Sequence, residues 1–404
     1  MKYYVTNFTD TSKMAYKYLG EDILKGFDKY KYSALDTSPF SNYVMHPFWN
    51  TVVKAVPRWV APNMLTFSGF VLLVYNFGVL SYYDPDYTAS DTRPGDLGPI
   101  PNWVWLVSAL CVFGAHTLDG IDGKQARRTG SSSPLGELFD HGIDSWSTLI
   151  LPTGMYSIFS RGFYGQPTLS VFGVVFLVQF CFLLSHWEKY NTGVLYLPWG
   201  YDLGQIGMSL LYLITFLGTI DLWKMTLPIV HLSPACFFTI CLYASCVLSA
   251  LISVFNVYVS YRDNTGHNRT FYEATRPLIS SSVLYILFTI WALYSPYDIL
   301  EKTPRLFYYT CGTTFSNLAS RLIVNQMSMT RCQVFNWLLV PLLCVVVLIF
   351  AIPLGAYELY FLWAYCLLVT TAHIHYGYSV VVQMADHLGI YSFTITSKPP
   401  KKQT

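Results

Sequence analysis

Long runs of apolar residues, separated by short polar segments, occupy most of the chain after about residue 60. A transmembrane helix needs about 20 mostly apolar residues, and about ten windows of that length are present. The predicted spans cover residues 64–83, 102–121, 141–160, 168–187, 204–220, 234–258, 279–296, 306–326, 335–357 and 359–381. The pattern therefore predicts an all-α integral membrane protein with about ten transmembrane helices.

The chain before the first predicted span is polar and rich in lysine. Leu19, Ile23 and Phe27 recur at every fourth position, which places them on one face of a helix. Two interpretations fit this face: an amphipathic helix lying on the membrane surface, or a soluble helix packed on the bundle. We expect a cytosolic N-terminal segment with this helix at 1–58, a polytopic membrane domain at 59–385 and a cytosolic tail at 386–404.

The composition agrees with a membrane protein. Of 404 residues, 53% are hydrophobic and only 12% are charged, whereas a soluble domain carries about a quarter charged residues. The formal net charge of +2 argues against nucleic acid as a partner, because phosphate binding needs a concentrated basic face. The nine cysteines are scattered through apolar runs, so we expect buried thiols and neither disulfides nor a zinc site.

Lysine and arginine are unevenly distributed between the predicted loops. If the spans alternate from a cytosolic N-terminus, 20 of the 25 Lys and Arg residues lie on the cytosolic side. The five on the other side are Arg93, Arg161, Lys224, Lys302 and Arg305. Since cytosolic loops carry the excess of positive charge, the pattern predicts that both termini are cytosolic.

Acidic residues are concentrated between the second and third spans. Asp119, Asp122, Gly123 and Ala126 follow the spacing i, i+3, i+4, i+7, so they share one helix face if the second span continues through them. The next helix repeats this spacing with Glu137, Asp140, His141 and Asp144. Ionisable residues in a membrane domain are costly and mark function by default, and the two acidic stripes are expected to face each other.

Several carboxylates converging at low dielectric repel one another unless cations neutralise them. Oxygen ligands suit Mg²⁺, Mn²⁺ or Ca²⁺ and argue against zinc. Two ions held by Asp119, Asp122, Asp140 and Asp144 would give the two-metal arrangement used in phosphate-ester chemistry. The small residues of the motif let a bulky ligand approach the backbone, and Arg127 offers a planar fork for phosphate oxygens.

The spacing of eight of these residues resembles the signature of the CDP-alcohol phosphotransferase family. The matching residues are Asp119, Asp122, Gly123, Ala126, Arg127, Gly136, Asp140 and Asp144. The resemblance extends to residues 43–50, 59–63, 123–142 and 187–193 and covers most of the chain from about residue 26. Within the family, the chain is most similar to the eukaryotic choline/ethanolamine phosphotransferases, and among them to the ethanolamine branch.

The resemblance implies the CDP-alcohol phosphotransferase fold and the transfer of phosphoethanolamine from CDP-ethanolamine to diacylglycerol, which yields phosphatidylethanolamine and CMP. It places two Mg²⁺ or Mn²⁺ ions on the four motif aspartates. It places the CDP-alcohol against Asn63, Gly123, Ala126, Arg127 and Gly136, and we add Glu137 to that set. It also implies a homodimer among membrane lipids, in the endoplasmic reticulum or, as an alternative, the Golgi.

The acceptor hydroxyl must lose a proton when it attacks phosphorus, so a base is required. A carboxylate that binds a divalent cation is a weak proton acceptor, which disfavours Asp144. His141 has an ordinary pKa of about 6.5, and similar family members with choline or ethanolamine specificity carry His at this position. We therefore predict His141 as the catalytic base, with Asp144 or water as the alternatives.

Other polar residues in the predicted spans carry weaker signals. Interhelical hydrogen bonds are the favoured role, and lining of a lipid chamber or an alcohol pocket is the alternative. These residues are His116, His186, Asn317, Asn325, Gln326, His373, His375 and Gln383. Glu188, near Trp187 and Tyr190, could receive an ammonium group through charge and cation–π contact or could be a simple charge at a helix end.

Three alternatives to an ethanolamine enzyme remain at this point. A choline-preferring or dual-specificity enzyme would carry the same motif, because no motif residue distinguishes the two ammonium groups. A divalent-cation transporter would also place acidic residues on facing spans, but Lys124, Arg127 and Arg128 beside the cluster would obstruct a cation. An inactive scaffold is disfavoured, because no motif aspartate is missing.

Overall fold

The computed structural model describes residues 16–90 and 100–397. The predicted segment 1–58 and tail 386–404 are thus described in part, and Arg93 lies outside the described residues. Within those ranges the chain forms thirteen α-helices and one short pair of strands. The N-terminal elements are α1 (Glu21–Asp28), β1 (Ala34–Leu35), a π-helix (Ser41–Met45) and α2 (His46–Val52). The long helices begin with α3 (Pro62–Tyr83), α4 (Asn102–Thr129), α5 (Pro134–Phe159) and α6 (Thr168–Thr192).

The remaining elements complete the bundle. They are β2 (Leu195–Tyr196), α7 (Gly200–Gly218), α8 (Pro234–Arg262), α9 (Phe271–Tyr294), α10 (Ile299–Lys302), α11 (Pro304–Ser328), α12 (Leu339–Ala351) and α13 (Glu358–Leu388). The strands β1 and β2 pair in parallel, with Ala34 opposite Leu195. This ladder joins the N-terminal segment to the segment after α6, and it is the exception to the predicted all-helical fold.

A helix lies at each of the ten predicted spans, but ten spans are not confirmed. Among the described residues, five helices are long and apolar enough to cross a membrane, namely α3, α4, α6, α8 and α9. At the predicted span 335–357, α12 has only 13 residues, which is about 20 Å of helix. The protein is therefore a mostly helical membrane protein, and its number of spans stays a prediction.

α5 and α11 occupy the centre of the bundle. α5 packs against α3, α6 and α11, while α11 also contacts α6 and α13. The α5–α11 contact is close because α11 carries small residues there: a Cβ atom at Gly312 would lie 2.7 Å from Cδ2 of Leu149. Small residues at such positions let membrane helices approach each other and pack by van der Waals contact. The interface holds α5, which carries one of the two acidic stripes.

α1 packs on the bundle through α11 and α13. Phe27 is only 1% exposed and lies in a cluster with Met327 and Tyr376. A side chain at Gly26 would collide with the backbone of Ser328, so glycine permits the close approach. These contacts correspond to the second interpretation of this amphipathic helix, a helix packed on the bundle.

Apolar side chains cover the outside of the bundle. On α8, for example, Leu251, Phe255 and Tyr258 are each more than half exposed. α8 packs against α6, whereas α7 packs against α4, and a cleft lined by both helices lies between them. All nine cysteines lie in the described part of the chain and are free; five are buried, but the expected burial is wrong for Cys241 and Cys344, which are exposed.

Four of the five basic residues predicted for the non-cytosolic side lie at one end of the bundle. Arg161 donates a hydrogen bond of 2.8 Å to the carbonyl oxygen of Glu301. Arg305 donates to the carbonyl oxygen of Asp84 at 2.5 Å. These contacts join the loop after α5 and the start of α11. The α4–α5 turn with its acidic residues lies at the opposite end of α5.

Candidate metal centre and active site

The acidic stripes lie on a tight helical hairpin formed by α4 and α5. α4 ends at Thr129, and Gly130 adopts the left-handed conformation with φ of 66°, which glycine accepts without steric cost. Ser133 caps α5 because its side chain accepts a hydrogen bond from the amide of Gly136, and Pro134 occupies the first helical position. A four-residue connection of this kind makes the two helices antiparallel and brings their acidic stripes together.

Asp119 on α4 and Asp144 on α5 lie at the same distance from the turn of the hairpin. Asp119 lies ten residues before the end of α4, and Asp144 lies ten residues after α5 begins, which is roughly 15 Å from the turn in each helix. Carboxylate oxygens of Asp119, Asp140 and Asp144 all lie within 4.8 Å of one another. α4 is helical through residue 129, so the condition for the motif residues of this helix to share one face is met.

This carboxylate group fits a hard divalent cation. Oδ1 of Asp140 is buried without a hydrogen-bond partner. Among the residues that the structure describes, no Lys or Arg forms an ion pair with Asp119, Asp140 or Asp144. Three uncompensated carboxylates at this spacing repel each other, and an all-oxygen set of this kind suits Mg²⁺ or Mn²⁺.

Asp122 lies outside this group of three. Its Oδ2 atom accepts a hydrogen bond of 2.5 Å from the hydroxyl of Thr66 on α3. On the other side of the centre, the Tyr201 hydroxyl donates to Oδ2 of Asp119 at 3.2 Å. The predicted role of Asp122 as a metal ligand, and with it a second ion, stays a prediction.

A large cavity of about 1430 Å³ contains the carboxylate group. All the residues predicted for the site line it. They are Asn63, Asp119, Asp122, Gly123, Ala126, Arg127, Gly136, Glu137, Asp140, His141 and Asp144. One part of the cavity is polar and lies beside the α4–α5 turn; the other part is apolar and lies in the cleft between α7 and α8. The aspartates lie where a polar ligand and an apolar ligand could meet.

The polar part of the cavity has room beside the backbone of both helices. A Cβ atom at Gly123 would have Nη1 of Arg127 as its nearest neighbour, at 3.6 Å, and one at Gly136 would have Oδ1 of Asn63 at 3.6 Å. Arg127 therefore points along the same wall as the glycines. Its neighbour Arg128 is used differently, because its guanidinium donates to the carbonyl oxygens of Val53 and Val56. Only Arg127 of the pair is placed for a ligand.

His141 lies between two carboxylates at the cavity wall. Its Nδ1 atom is 3.9 Å from Oε1 of Glu137, and its Nε2 atom is 3.8 Å from Oδ2 of Asp140. These distances are slightly longer than a hydrogen bond, and Nδ1 is buried without a partner. His141 is 9% exposed, and each ring nitrogen has a carboxylate within 4 Å, one of which is already paired with Lys189.

A buried ion pair fixes Glu137. Its Oε1 atom accepts hydrogen bonds from Nζ of Lys189 and, at 2.6 Å, from the hydroxyl of Tyr30. Burial and the Glu137 carboxylate raise the pKa of Tyr30 well above its ordinary value, so its phenol stays protonated and donating. The Oε2 atom of Glu137 is buried without a partner. Glu137 is thus held beside His141, and its predicted role in substrate binding stays a prediction.

Of the other polar residues, His186 and Gln326 make the expected interhelical contact, whereas Asn317 and Gln383 bond to residues that precede α12 and α1. His186 on α6 bonds to Gln326 on α11, and Asn317 on α11 accepts from Asn336 at 3.0 Å. Gln383 on α13 accepts from the amide of Leu19 at 3.1 Å. His186 also lines the cavity, with its ring centroid 5.1 Å from that of His141, so both interpretations apply to it.

Glu188 is placed differently from its suggested role as an ammonium site. It is 1% exposed, and its Oε1 atom accepts from Asn256 on α8 at 2.7 Å. It is not among the residues that line the cavity. Because it contacts α8 away from the cavity, Glu188 serves the α6–α8 interface.

Several residues in or beside the cavity were missed from the sequence: Tyr30 and Tyr201 line it, whereas Lys189 lies behind the wall and contacts Glu137. Lys189, Tyr30 and Tyr201 carry no motif spacing, because their contacts with Glu137 and Asp119 join segments far apart in the chain. Trp49 packs so closely on Gly120 that any side chain at that glycine would collide with it. The segment 390–397, after α13, also lines the cavity. The resemblance at residues 43–50 was the one signal that pointed toward Trp49.

The fold and the site define a membrane-embedded class of transferases. The profile of the CDP-alcohol phosphatidyltransferase family matches residues 59–251, which include the whole α4–α5 hairpin. The chain belongs to this family and is a transferase of phospholipid biosynthesis rather than a cation transporter.

Within the family, the chain is similar to both animal and plant enzymes. Ethanolaminephosphotransferase 1 of Mus musculus is 49% identical over 384 residues, which cover 94% of this chain and 95% of the mouse protein. The Homo sapiens protein of the same name is 49% identical over 381 residues and has the same coverage. Choline/ethanolaminephosphotransferase 1 of Arabidopsis thaliana is 31% identical over 404 residues, covering 94% of this chain and 99% of the plant protein.

Proposed function

We propose that this protein transfers phosphoethanolamine from CDP-ethanolamine to the free hydroxyl of diacylglycerol and releases CMP. The phosphatidylethanolamine formed stays in the membrane. One observation carries the proposal: the carboxylates of Asp119, Asp140 and Asp144 lie where the polar and apolar parts of one cavity meet. A water-soluble nucleotide and a lipid can meet only at such a junction.

The metal ions would be held by the motif aspartates. Asp119, Asp140 and Asp144, with Asp122 beside them, would bind Mg²⁺ or Mn²⁺, which would neutralise charge on the phosphates and on the leaving oxygen. The protein's own contribution is to fix these oxygens on two rigid helices. The hydrogen bonds from Tyr201 and Thr66 hold two of the carboxylates in place.

His141 would take the proton from the acceptor. The hydroxyl oxygen of diacylglycerol forms a bond to the β-phosphorus, and the bond from that phosphorus to the bridging oxygen of CMP breaks. The hydroxyl proton moves to His141, and CMP leaves with the electron pair of the broken bond. Glu137, held by Lys189, lies 3.9 Å from Nδ1 of His141 and would keep the ring at the cavity wall.

The diacylglycerol would enter from the membrane between α7 and α8. The cleft is lined by apolar residues of α5, α7 and α8, among them Leu151, Leu211 and Phe238. A lipid whose chains lie in this cleft would place its polar end toward the carboxylate group. On this route the acyl chains do not cross the polar part of the cavity.

The main alternative within the family is a different headgroup specificity. A choline-preferring or dual-specificity enzyme would use the same aspartates and the same cavity. Ethanolamine is favoured because the animal ethanolaminephosphotransferases are 49% identical to this chain, whereas the plant choline/ethanolaminephosphotransferase is 31% identical.

The cellular setting is part of the proposal. We expect about ten spans, both termini in the cytosol and a location in the endoplasmic reticulum membrane, with the Golgi as the alternative. The end of the bundle that carries Arg161 and Arg305, predicted to be the side poor in Lys and Arg, lies opposite the motif hairpin, which supports the predicted orientation. The homodimer implied by the family resemblance stays a prediction that cross-linking in membranes would test.

Purified protein in diacylglycerol-containing liposomes tests the donor. With Mg²⁺ or Mn²⁺ present, we expect a higher kcat/KM for CDP-ethanolamine than for CDP-choline, with phosphatidylethanolamine as the lipid product. A higher value for CDP-choline would replace ethanolamine by choline in the proposal.

A further inference from the structure

The chain folds back over the cavity after its last helix. Gly389 ends α13 with φ of 65°, a left-handed conformation that turns the backbone. Ile390 then pairs in antiparallel fashion with Ser397. We call residues 390–397 the C-terminal strap.

A hydrogen bond and two aromatic contacts hold the strap against α3 and α5. The side-chain amide of Asn63 donates a hydrogen bond of 2.8 Å to the carbonyl oxygen of Ser392. The ring centroid of Phe393 lies 5.9 Å from that of Phe67 on α3 and 5.5 Å from that of Phe139 on α5. The aromatic contacts stabilise the strap beside the hairpin, because edge-to-face pairs at these separations are favourable.

Every residue of the strap except Phe393 lines the cavity. Its side chains include the hydroxyls of Ser392, Thr394 and Thr396. The same part of the cavity has Asn63, Gly123 and Gly136 along the helices. A flat base and a ribose carry hydrogen-bonding edges that hydroxyl and backbone groups can satisfy, whereas the glycines leave space but offer no side chains.

We propose that the C-terminal strap forms the outer wall of the nucleotide pocket and binds the cytidine part of the CDP-alcohol. The proposal rests on the proposed function and assigns to Asn63 a positioning role: its amide holds the strap through Ser392. The amide hydrogen bond and the phenyl ring of Phe393 together keep the strap against the pocket.

Kinetics of Phe393→Ala test this wall. Loosening the strap should raise the KM for CDP-ethanolamine about tenfold, which corresponds to about 1.4 kcal/mol of binding free energy. The kcat and the KM for diacylglycerol should change less than about twofold, since the strap lies on the nucleotide side of the aspartates. Phe163→Ala is the matched control, because Phe163 is 92% exposed in the loop after α5. A lower KM would show that the strap competes with the nucleotide and would overturn the proposal.

A double-mutant cycle separates positioning by Asn63 from direct contact. If Asn63 acts through the strap, Asn63→Ala combined with Phe393→Ala should raise the KM for CDP-ethanolamine hardly more than either change alone. Effects that multiply would mean that Asn63 contacts the nucleotide independently, and the positioning role would be wrong.

Hydrogen exchange tests the strap without turnover. CMP added to the purified full-length protein should slow amide exchange across residues 390–397 of the wild type and do so less in Phe393→Ala. Unchanged exchange at saturating CMP would contradict the strap as a nucleotide wall. If the wild type binds CMP in this way but releases none from CDP-ethanolamine, the proposed function fails and the strap assignment stands.

Discussion

The chemistry at residue scale depends on the surroundings of His141. This ring lies between Glu137 and Asp140, while Lys189 and Tyr30 hold Glu137 from the other side. The chain Lys189–Glu137–His141 therefore reaches from a buried cation to the cavity wall. The pair fixes the position of Glu137, and with it the part of the cavity wall against which the ring lies.

Removing the imidazole should stop turnover but not binding. We expect His141→Ala to lower kcat by about 10²- to 10⁴-fold, because the proton acceptor is lost, while CDP-ethanolamine binding changes little. CMP release and equilibrium binding measure the two effects. His373→Ala is a matched control, since His373 is also buried but lies outside the residues that line the cavity. An unchanged kcat in His141→Ala would transfer the role to Asp144 or water.

Removing only the charge of Lys189 should destabilise the protein more than removing the charges of both Lys189 and Glu137. Lys189→Met leaves the carboxylate of Glu137 without its cation, and such a loss costs about 3–5 kcal/mol. We expect a lower apparent Tm for the single variant and a partly restored Tm when Glu137→Gln is added. Thermal unfolding in detergent gives the comparison. A lower Tm for the double variant than for Lys189→Met would show that the unpaired Glu137 charge is not what destabilises the single variant.

At the scale of elements, the α4–α5 hairpin was predictable and its supports were not. The i, i+3, i+4, i+7 spacing determined which residues share a face, and the structure places them on one cavity. The pairing of β1 with β2 and the hydrogen bond from Asn63 to Ser392 were not predictable. Each joins segments more than 150 residues apart, and local periodicity carries no information about such contacts.

The turn of the hairpin can be tested at Gly130. Its φ of 66° disfavours residues with a Cβ atom, but asparagine tolerates this conformation better than alanine. No atom would lie within 4 Å of a Cβ there, so the effect is one of backbone conformation alone. We expect Gly130→Ala to destabilise the protein by about 1 kcal/mol and to reduce CMP release more than Gly130→Asn does. Equal stability and activity of the two variants would contradict a strained turn.

At the scale of the whole molecule, the bundle separates two substrates that differ in solubility. The turn side of the cavity is polar and accessible to a nucleotide, whereas the α7–α8 cleft is apolar. Counting apolar windows located the helices but could not show this cleft, because it depends on α7 packing against α4 while α8 packs against α6.

Filling the cleft should affect only the lipid substrate. Cys241 lines the cleft on α8, and Cys241→Trp should raise the KM for diacylglycerol several-fold, with little change for CDP-ethanolamine. Val247→Trp is the matched control, because Val247 is 51% exposed and does not line the cavity. Equal effects of both tryptophans on both substrates would argue against the α7–α8 route.

If the aspartate group at the junction catalyses transfer from the nucleotide to the lipid, turnover should require the metal that it binds. The most direct measurement is the yield of CMP and of phosphatidylethanolamine from CDP-ethanolamine and diacylglycerol, in liposomes containing the purified protein, with Mg²⁺ or Mn²⁺ and after chelation. We expect equal molar amounts of both products, lost on chelation and regained when the metal is restored. Absence of CMP with metal present, or undiminished CMP after chelation, would contradict this expectation.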